Sequence, residues 1–374
     1  MATNDRPPFR ADHVGSLLRP APLLAAREQH ARGELDGTAL RAAEDDAIRD
    51  AVAMQQAVGL RSVTDGEFRR TSWHMDFIYR IEGIDPADED LKVQFRNADG
   101  LLEFTSAALS VHAPIRITEP IFADDFRFLQ SVAEGTGMTP KLTIPSPSMV
   151  HYRGGPAALD PSVYPDEEGF WDDLTAAYSG QLAKMGELGC TYLQLDDTSL
   201  AYLNDPRQRE RIAQQGGDAE HQHEHYIRQL NKVLGSKPSG MTVTTHLCRG
   251  NYRSSWAAEG GYDFVAEAMF GGLEVDGFFL EYDDERSGTF EPLRFVPPGR
   301  TVVLGLVTTK RGELERKDDL KRRIEEASRY VPLEQLCLSP QCGFSSTVEG
   351  NELSYDEQVA KLELIVETAA EVWG

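Results

Sequence analysis

Eight short runs rich in apolar and β-branched residues punctuate the chain, each closing on polar or charged positions: Ala11–Ser16, Ser62–Asp65, Lys141–Ile144, Thr191–Leu195, Met241–Thr245, Gly277–Leu280, Thr301–Val307 and Gln335–Leu338. Between most of them, apolar residues recur at three- and four-residue spacing, over Ala39–Val58, Phe170–Leu188, Tyr226–Leu234, Tyr262–Phe270, Lys317–Tyr330 and Ser354–Trp373. The first two stop at Gly59 and Gly189, as helices do at a C-terminal glycine. Strands alternating with helices predict parallel βα units. Eight such units predict one α/β domain over residues 1–374, a single (β/α)8 TIM barrel. One region breaks the alternation. Leu91–Pro120 carries paired β-like runs around Asn97–Gly100, a hairpin-turn signal, and predicts a β-hairpin inserted after the second strand as a flap near the barrel mouth. Asp205–His225 is polar and glycine-interrupted, which predicts a surface excursion after the fourth strand.

Composition narrows the function classes. Lys and Arg number 38 against 61 Asp and Glu, a net charge of −23, which excludes a nucleic-acid or anionic-membrane surface. No apolar run approaches the ~18 residues of a membrane span, and Met1–Arg10 has no apolar signal core, so a cytoplasmic protein is expected. Four cysteines, Cys190, Cys248, Cys337 and Cys342, are no disulfide framework. In a reducing compartment each is a small core residue or a reactive group.

In such barrels the active site lies at the C-terminal ends of the strands. The predicted strand ends deliver Ser16, then Asp65 and Glu67, then Asp196 and Asp197, then His246 and Cys248, then Glu281, then Lys310, and finally Cys342 beyond Pro340. His246 and Cys248 fall on one side of an extended segment, because side chains alternate along a strand. With Glu281 and Cys342 they make a tetrahedral donor set of formal charge −3. Thiolate donors favour Zn2+ over magnesium or calcium. So electron-rich a site suits activation of a bound thiol better than polarisation of water. A metal-dependent hydrolase would favour His and Asp over two thiols. A purely structural zinc is the other reading, although barrels of this size seldom need one.

The segments Val243–Cys248 (VTTHLC), Phe278–Glu281 (FFLE) and Ser339–Gly343 (SPQCG) resemble the zinc motifs of the cobalamin-independent methionine synthase family. Val14–Ser16 (VGS), Asp65–Glu67 (DGE) and Leu193–Asp196 (LQLD) resemble its homocysteine-binding segments. The likeness spans nearly the whole chain, but covers only that family's C-terminal catalytic barrel. It implies zinc on His246, Cys248, Glu281 and Cys342, with Glu281 the labile ligand, and methyl transfer to homocysteine. It also implies that Glu67 and Asp196 hold the substrate ammonium and Ser16 its carboxylate. Two positions depart from the pattern. His151 stands where the family stacks a tryptophan on the pterin, which makes it the expected donor-side binding residue. Lys310 stands where the family has a catalytic histidine. The methyl donor therefore stays open between methyltetrahydrofolate, a corrinoid protein and another small methyl compound. The plan is also similar to epoxyalkane:coenzyme M transferase, for which Arg249, Arg253 or Arg153 would meet the sulfonate.

Other candidates have plainer readings. Cys190 and Cys337 read as core residues, His221, His223 and His225 as a solvated helix start, and His13 as part of the barrel top. His74 reads as a hydrogen-bonded structural histidine near the mouth.

Overall fold

The structure, a computed structural model, describes residues 6–97, 100–214 and 216–374. Seven strands form one parallel sheet: β1 (Ser62–Val63), β4 (Thr139–Pro145), β5 (Tyr192–Asp197), β6 (Thr242–Leu247), β7 (Gly277–Glu281), β8 (Thr301–Val307) and β9 (Leu336–Pro340), in that spatial order. The missing numbers belong to a separate antiparallel ribbon, β2 (Glu82–Asn97) with β3 (Gly100–Arg116). Every residue of β5, β7 and β9 is buried. That is the pattern of a sheet covered on both faces. The sheet curls in the manner of a TIM-like barrel.

The expected first strand is not a regular strand. Ala11 bridges Leu338 in parallel, and Asp12 N donates to Leu338 O at 3.0 Å. On the other side, Thr64 Oγ1 donates to Gly15 O at 2.6 Å and Leu17 N to Gly66 O at 3.1 Å. The segment thus lies between β9 and β1 with few ladder bonds. The reason is Asp12, whose buried carboxylate accepts from Phe9 N, His13 N, Ser62 Oγ and Tyr192 OH and takes over the job of a backbone partner.

Long helices pack outside the sheet. Gly37–Ala57 starts at Asp36, which accepts from Ala39 N; Glu167–Glu187 starts at Asp166, which accepts from Gly169 N. Tyr355–Trp373 begins with a capping box between Ser354 and Glu357. Trp171 and Tyr178 of the second helix are completely buried, each such side chain contributing on the order of 2–3 kcal/mol. The expected excursion at Asp205–His225 contains a helix of its own, Pro206–Gln214. No described helix is long and apolar enough to cross a membrane.

The ribbon turns between Asn97 and Gly100, where Gly100 N donates to Asn97 Oδ1 at 3.1 Å. A lone two-stranded ribbon is marginal in water and needs packing. Its distal end finds this on the loop after β6: Arg96 N donates to Trp256 O at 2.7 Å and Trp256 N to Arg96 O at 2.9 Å, while Phe95 packs on Tyr252.

Candidate metal centre and active site

The end of β6 extends its ladder one residue past the strand, since Cys248 N donates to Asp197 O at 3.0 Å. This fixes Cys248 on the same side as His246. Glu281 is the last residue of β7, and Cys342 follows β9 by two residues, with Gln341 N held by Val307 O at 2.8 Å. One donor atom from each of His246, Cys248, Glu281 and Cys342 lies within 4.8 Å of all the others, and all four residues are buried. The two sulfurs are 3.5 Å apart. Neither ring nitrogen of His246 has an oxygen or nitrogen partner among the described residues, and the Cys342 sulfur is the polar group that faces the ring. A buried imidazole so poorly satisfied favours a bound cation. The donors are one nitrogen, two sulfurs and one carboxylate. They fit zinc.

The electrostatics of the four donors favour a cation among them. The hydrogen bond from Cys248 holds the Cys342 thiol well below the ordinary thiol range, and the same bond pushes Cys248 well above it. Two thiols this close cannot both ionise without a counter-charge. Burial, then the Cys342 charge, raises Glu281 to about 7. Burial pulls His246 down, but the Cys342 sulfur and the Asp196 and Glu281 carboxylates outweigh it and the net shift is upward.

Tyr262, not singled out in the sequence, and Arg249 set the height of Glu281. Tyr262 OH accepts from Glu281 N at 2.8 Å. The buried Arg249 donates to Glu281 O at 2.9 Å, to Tyr262 OH at 3.1 Å and to Gly260 O at 3.0 Å. Arg249 thus spends Nε and Nη1 on the protein itself, holding the Glu281 strand end, while Nη2 has no partner among the described residues.

A small pocket opens beside the cluster, lined by Val14, Ser16, Glu67, Trp73, Asp196, His246, Cys248, Cys342, Gly343 and Ser346. Three expected substrate residues thus share one cavity with three of the four donors. Glu67 sits at φ 60, a conformation that non-glycine residues seldom adopt. The Asp65-Gly66 turn imposes it, with Asp65 Oδ1 accepting from Glu67 N at 2.9 Å. Glu67 Oε1 accepts from Thr143 Oγ1 at 2.7 Å and lies 3.5 Å from Arg70, whereas Oε2 has no partner. Burial raises its pKa against the opposing pull of Arg70. Asp196 accepts from Gln194 Nε2 at 2.7 Å. Burial pushes it up to about 7, with Glu67 adding to the rise and His246 opposing it. Ser16 Oγ accepts from Ser345 N at 3.4 Å. A Cβ on Gly343 would stand 1.9 Å from Ser16 Oγ, so the Cys342 loop reaches Ser16 only because residue 343 is glycine. Trp73, Gly343 and Ser346 were not legible as pocket residues, and only the glycine next to Cys342 gave a hint.

The raised Asp196 has a consequence for the metal-free protein. Unfolded, its pKa is ~3.9; folded, it is about 7. A group raised on folding adds stability that is complete below the unfolded value and is lost as pH rises through the folded one. We therefore expect chelator-treated wild type to lose more unfolding free energy between pH 5 and 8 than chelator-treated Asp196→Asn. The difference should grow by up to ~1.4 kcal/mol per pH unit. Parallel denaturation profiles for the two proteins would show that Asp196 is already ionised.

Other predicted residues lie elsewhere. His151 is on the helix Pro147–Gly154, packed in an aromatic nest with Trp171 and Tyr226, its Nδ1 2.9 Å from Tyr226 OH. It lines a different cavity, beside Glu167 and His225, so the expected donor-side role is not supported by its position. Lys310 donates to Asp283 Oδ2 at 2.8 Å in a nearly buried ion pair and does not line the metal pocket. Its charge reaches both Glu281 and Cys342. His74 Nδ1 is 3.1 Å from Ser72 Oγ, its ring stacks on Trp73, and Nε2 has no partner. His13 lies buried in the segment beside β9, and burial, then Lys141, lowers it to about 4. His221 is exposed, while His223 and His225 pack on Phe264 and Trp171. Burial pushes the Cys190 thiol up to about 12, and Cys337 is equally buried.

A curled parallel α/β sheet, with a His-Cys-Glu-Cys cluster at its strand ends opening onto a carboxylate-lined pocket, defines a barrel enzyme of the TIM-like plan. The chain belongs to the cobalamin-independent synthase family through its catalytic domain, whose profile matches residues 12–371, and this membership makes it a methyltransferase. It is 46% identical over 370 residues to the uncharacterized protein YxjG of Bacillus subtilis (strain 168), covering 98% of this chain and 96% of that protein. It is 21% identical over 339 residues to the methionine synthase of Sulfurisphaera tokodaii, covering 88% and 84%. Among solved structures, a Listeria monocytogenes protein provisionally assigned as a vitamin-B12 independent methionine synthase superposes with TM-score 0.77 at 38% identity, over 98% of each chain. A B12-independent methionine synthase from Shewanella sp. W3-18-1 superposes with TM-score 0.72 at 19% identity over 97% of each and shares the fold.

Proposed function

We propose that the chain transfers a methyl group to the thiol of homocysteine, giving methionine, with zinc held by His246, Cys248, Glu281 and Cys342. The observation that carries this reading is the single pocket shared by the donor cluster and by Ser16, Glu67 and Asp196. Zinc at that position would keep the substrate sulfur as a thiolate at neutral pH. The chain's own groups do the rest. Glu67, with Oε2 unpaired, and Asp196 would take the ammonium through charge-assisted hydrogen bonds. The ammonium would add a cation between Glu67, which already faces Arg70, and Asp196, whose ionised form burial disfavours. Ser16 Oγ and adjacent backbone N–H groups would take the carboxylate. The sulfur lone pair forms the new S–C bond, and the donor–carbon bond breaks with its pair remaining on the donor. The proton lost from the thiol leaves to solvent or to the donor. Alignment of the two reactants supplies most of the rate in such a step.

Glu281, the one oxygen donor in the set, would be the weakest holder of a bound zinc and the one to make room for substrate sulfur. Lys310, tied to Asp283, acts on Glu281 and Cys342 through its charge, as a positioning residue and not a catalytic one. Residues 1–374 form one domain in this reading, with Ala11–Ser16 as the eighth stave of a (β/α)8 barrel and the ribbon as an inserted flap over its mouth. A coenzyme M-type thiol fits less well, since its sulfonate would face Glu67 and Asp196. The donor remains methyltetrahydrofolate, a corrinoid protein or another methyl compound.

The test is a thiol titration of cobalt(II)-substituted protein, following its thiolate-to-metal absorption. Homocysteine should give a saturable change at one equivalent. A response to coenzyme M alone, or to neither thiol, would overturn the proposal.

A further inference from the structure

In a chain of net charge −23, one cavity stands out by its sign. It holds about 370 Å3 between the ribbon and two helices, Pro147–Gly154 and Pro206–Gln214, and Arg96, Arg153, Arg207 and Arg211 line it together with Tyr152 and Tyr202. Glu103 is the carboxylate in its wall among the described residues. Arg207 is already paired, with Asp205 at 2.7 Å. The others are not. Arg153 makes no ion pair or hydrogen bond among the described residues, and its Nε is buried without a partner. Arg211 reaches only the Tyr152 hydroxyl, at 3.3 Å, and its Nε is likewise orphaned. Arg96 lines the cavity from the ribbon, on the same wall as Glu103. Guanidinium groups stay charged at any physiological pH. Arg96, Arg153 and Arg211 are half-buried, and the two orphaned Nε atoms leave hydrogen-bonding capacity that an anion in the cavity would take up.

The cavity abuts the metal centre. Gly250 N donates to Cys248 Sγ at 3.3 Å, and a Cβ on Gly250 would stand 2.7 Å from Tyr202 Oη and 2.9 Å from Ala257 Cβ, both on the cavity wall. A single glycine therefore separates the arginine-lined space from a metal-ligating sulfur. The arginine-lined space shares no lining residue with the pocket of Glu67 and Asp196, whose carboxylates repel anions.

We propose that this cavity is the subsite for an anionic group, carboxylate or phosphate, carried by the second substrate: Arg153 and Arg211 clamp the anion while the donor's methyl carbon faces the metal-bound sulfur. The assignment rests on the methyl-transfer reading, and it divides the site by charge. The amino-acid ammonium goes to Glu67 and Asp196, and the donor's anion goes to the arginines. The geometry requires that the ribbon stay seated, since Arg96 belongs to it.

The test uses the metal-loaded full chain and two probes, citrate and inorganic phosphate, titrated by calorimetry. Saturable binding of one equivalent is expected. Arg153→Gln and Arg211→Gln should each weaken it by about tenfold, the loss of one charge-assisted hydrogen-bonding partner. Arg322→Gln, on an exposed surface helix, should leave it unchanged. Tighter citrate points to a carboxylate donor, and tighter phosphate to a phosphorylated one. If Arg153→Gln does not fold, Arg211→Gln and Arg96→Gln carry the test. Absence of saturable binding, or equal binding by wild type and the Arg153→Gln/Arg211→Gln pair, overturns the proposal. So does a coenzyme M-dependent cobalt signal that Arg153→Gln abolishes, because the anion would then belong to the thiol. The homocysteine signal should survive in every arginine variant, so its failure in wild type condemns the methyl-transfer reading and not the anion site.

Discussion

Cys342→Ser should lose its metal and about three orders of magnitude in turnover, equivalent to ~4 kcal/mol of transition-state stabilisation, yet melt with chelated wild type. The sulfur sits beyond the end of β9 on a loop held by other bonds. Gln341 N is fixed to Val307 O, Phe344 N to Ser16 O, and Gly343 O accepts from Asn251 Nδ2 at 2.8 Å. None of these passes through the thiol. A serine hydroxyl is a poor zinc donor but keeps the volume and a hydrogen bond. Metal content, turnover and melting with and without chelator settle the matter together. A variant that retains metal and activity would remove Cys342 from the site. One that unfolds well below chelated wild type would show a structural centre.

The pair Glu67→Gln and Asp196→Asn should act with opposite signs on activity and stability. Each removes a charge-assisted partner for an ammonium, worth ~1.5–3 kcal/mol, so kcat/KM for homocysteine should fall about 10- to 100-fold per substitution. The loss should appear mainly in KM if the contact is equally strong in the ground and transition states. Stability of the unliganded protein at neutral pH should rise, because burial disfavours both ionised forms. Amides of the same shape remove that strain. A fall in stability with unchanged kcat/KM would mean that these carboxylates serve the barrel and not the substrate.

What the sequence disclosed follows from which interactions are local. The alternation of side chains placed His246 and Cys248 together, and strand ends placed Glu281, Asp196 and Glu67 on one rim, because both rules act over a few residues. The helix start at Ser354 was legible for the same reason, whereas the caps Asp36 and Asp166 lie three and four residues ahead of the periodic runs at Ala39 and Phe170. The surroundings of His151 were not legible, because an aromatic nest assembled from three helices fixes its ring and no spacing rule reports on that. Lys310 was read from its place at a strand end, and its partner Asp283, 27 residues away, lay beyond any local rule. The first strand lost its regularity to a single side chain, Asp12, whose four partners are scattered along the chain. Arg249 and Tyr262 were invisible as supports for Glu281 because their bonds exist only once β6 and β7 are adjacent.

The spacing of the donors also orders events on the ribosome. Cys342 is made 94 residues after Cys248. A nascent chain thus carries an exposed imidazole and thiol well before the fourth donor exists. Such a bidentate fragment ranks ions by intrinsic affinity and would take copper ahead of zinc. If the cluster holds zinc as proposed, the completed set of four buried donors would restore the choice through geometry and burial. Correct metallation is therefore an act of the completed polypeptide, after the last staves have closed around the first.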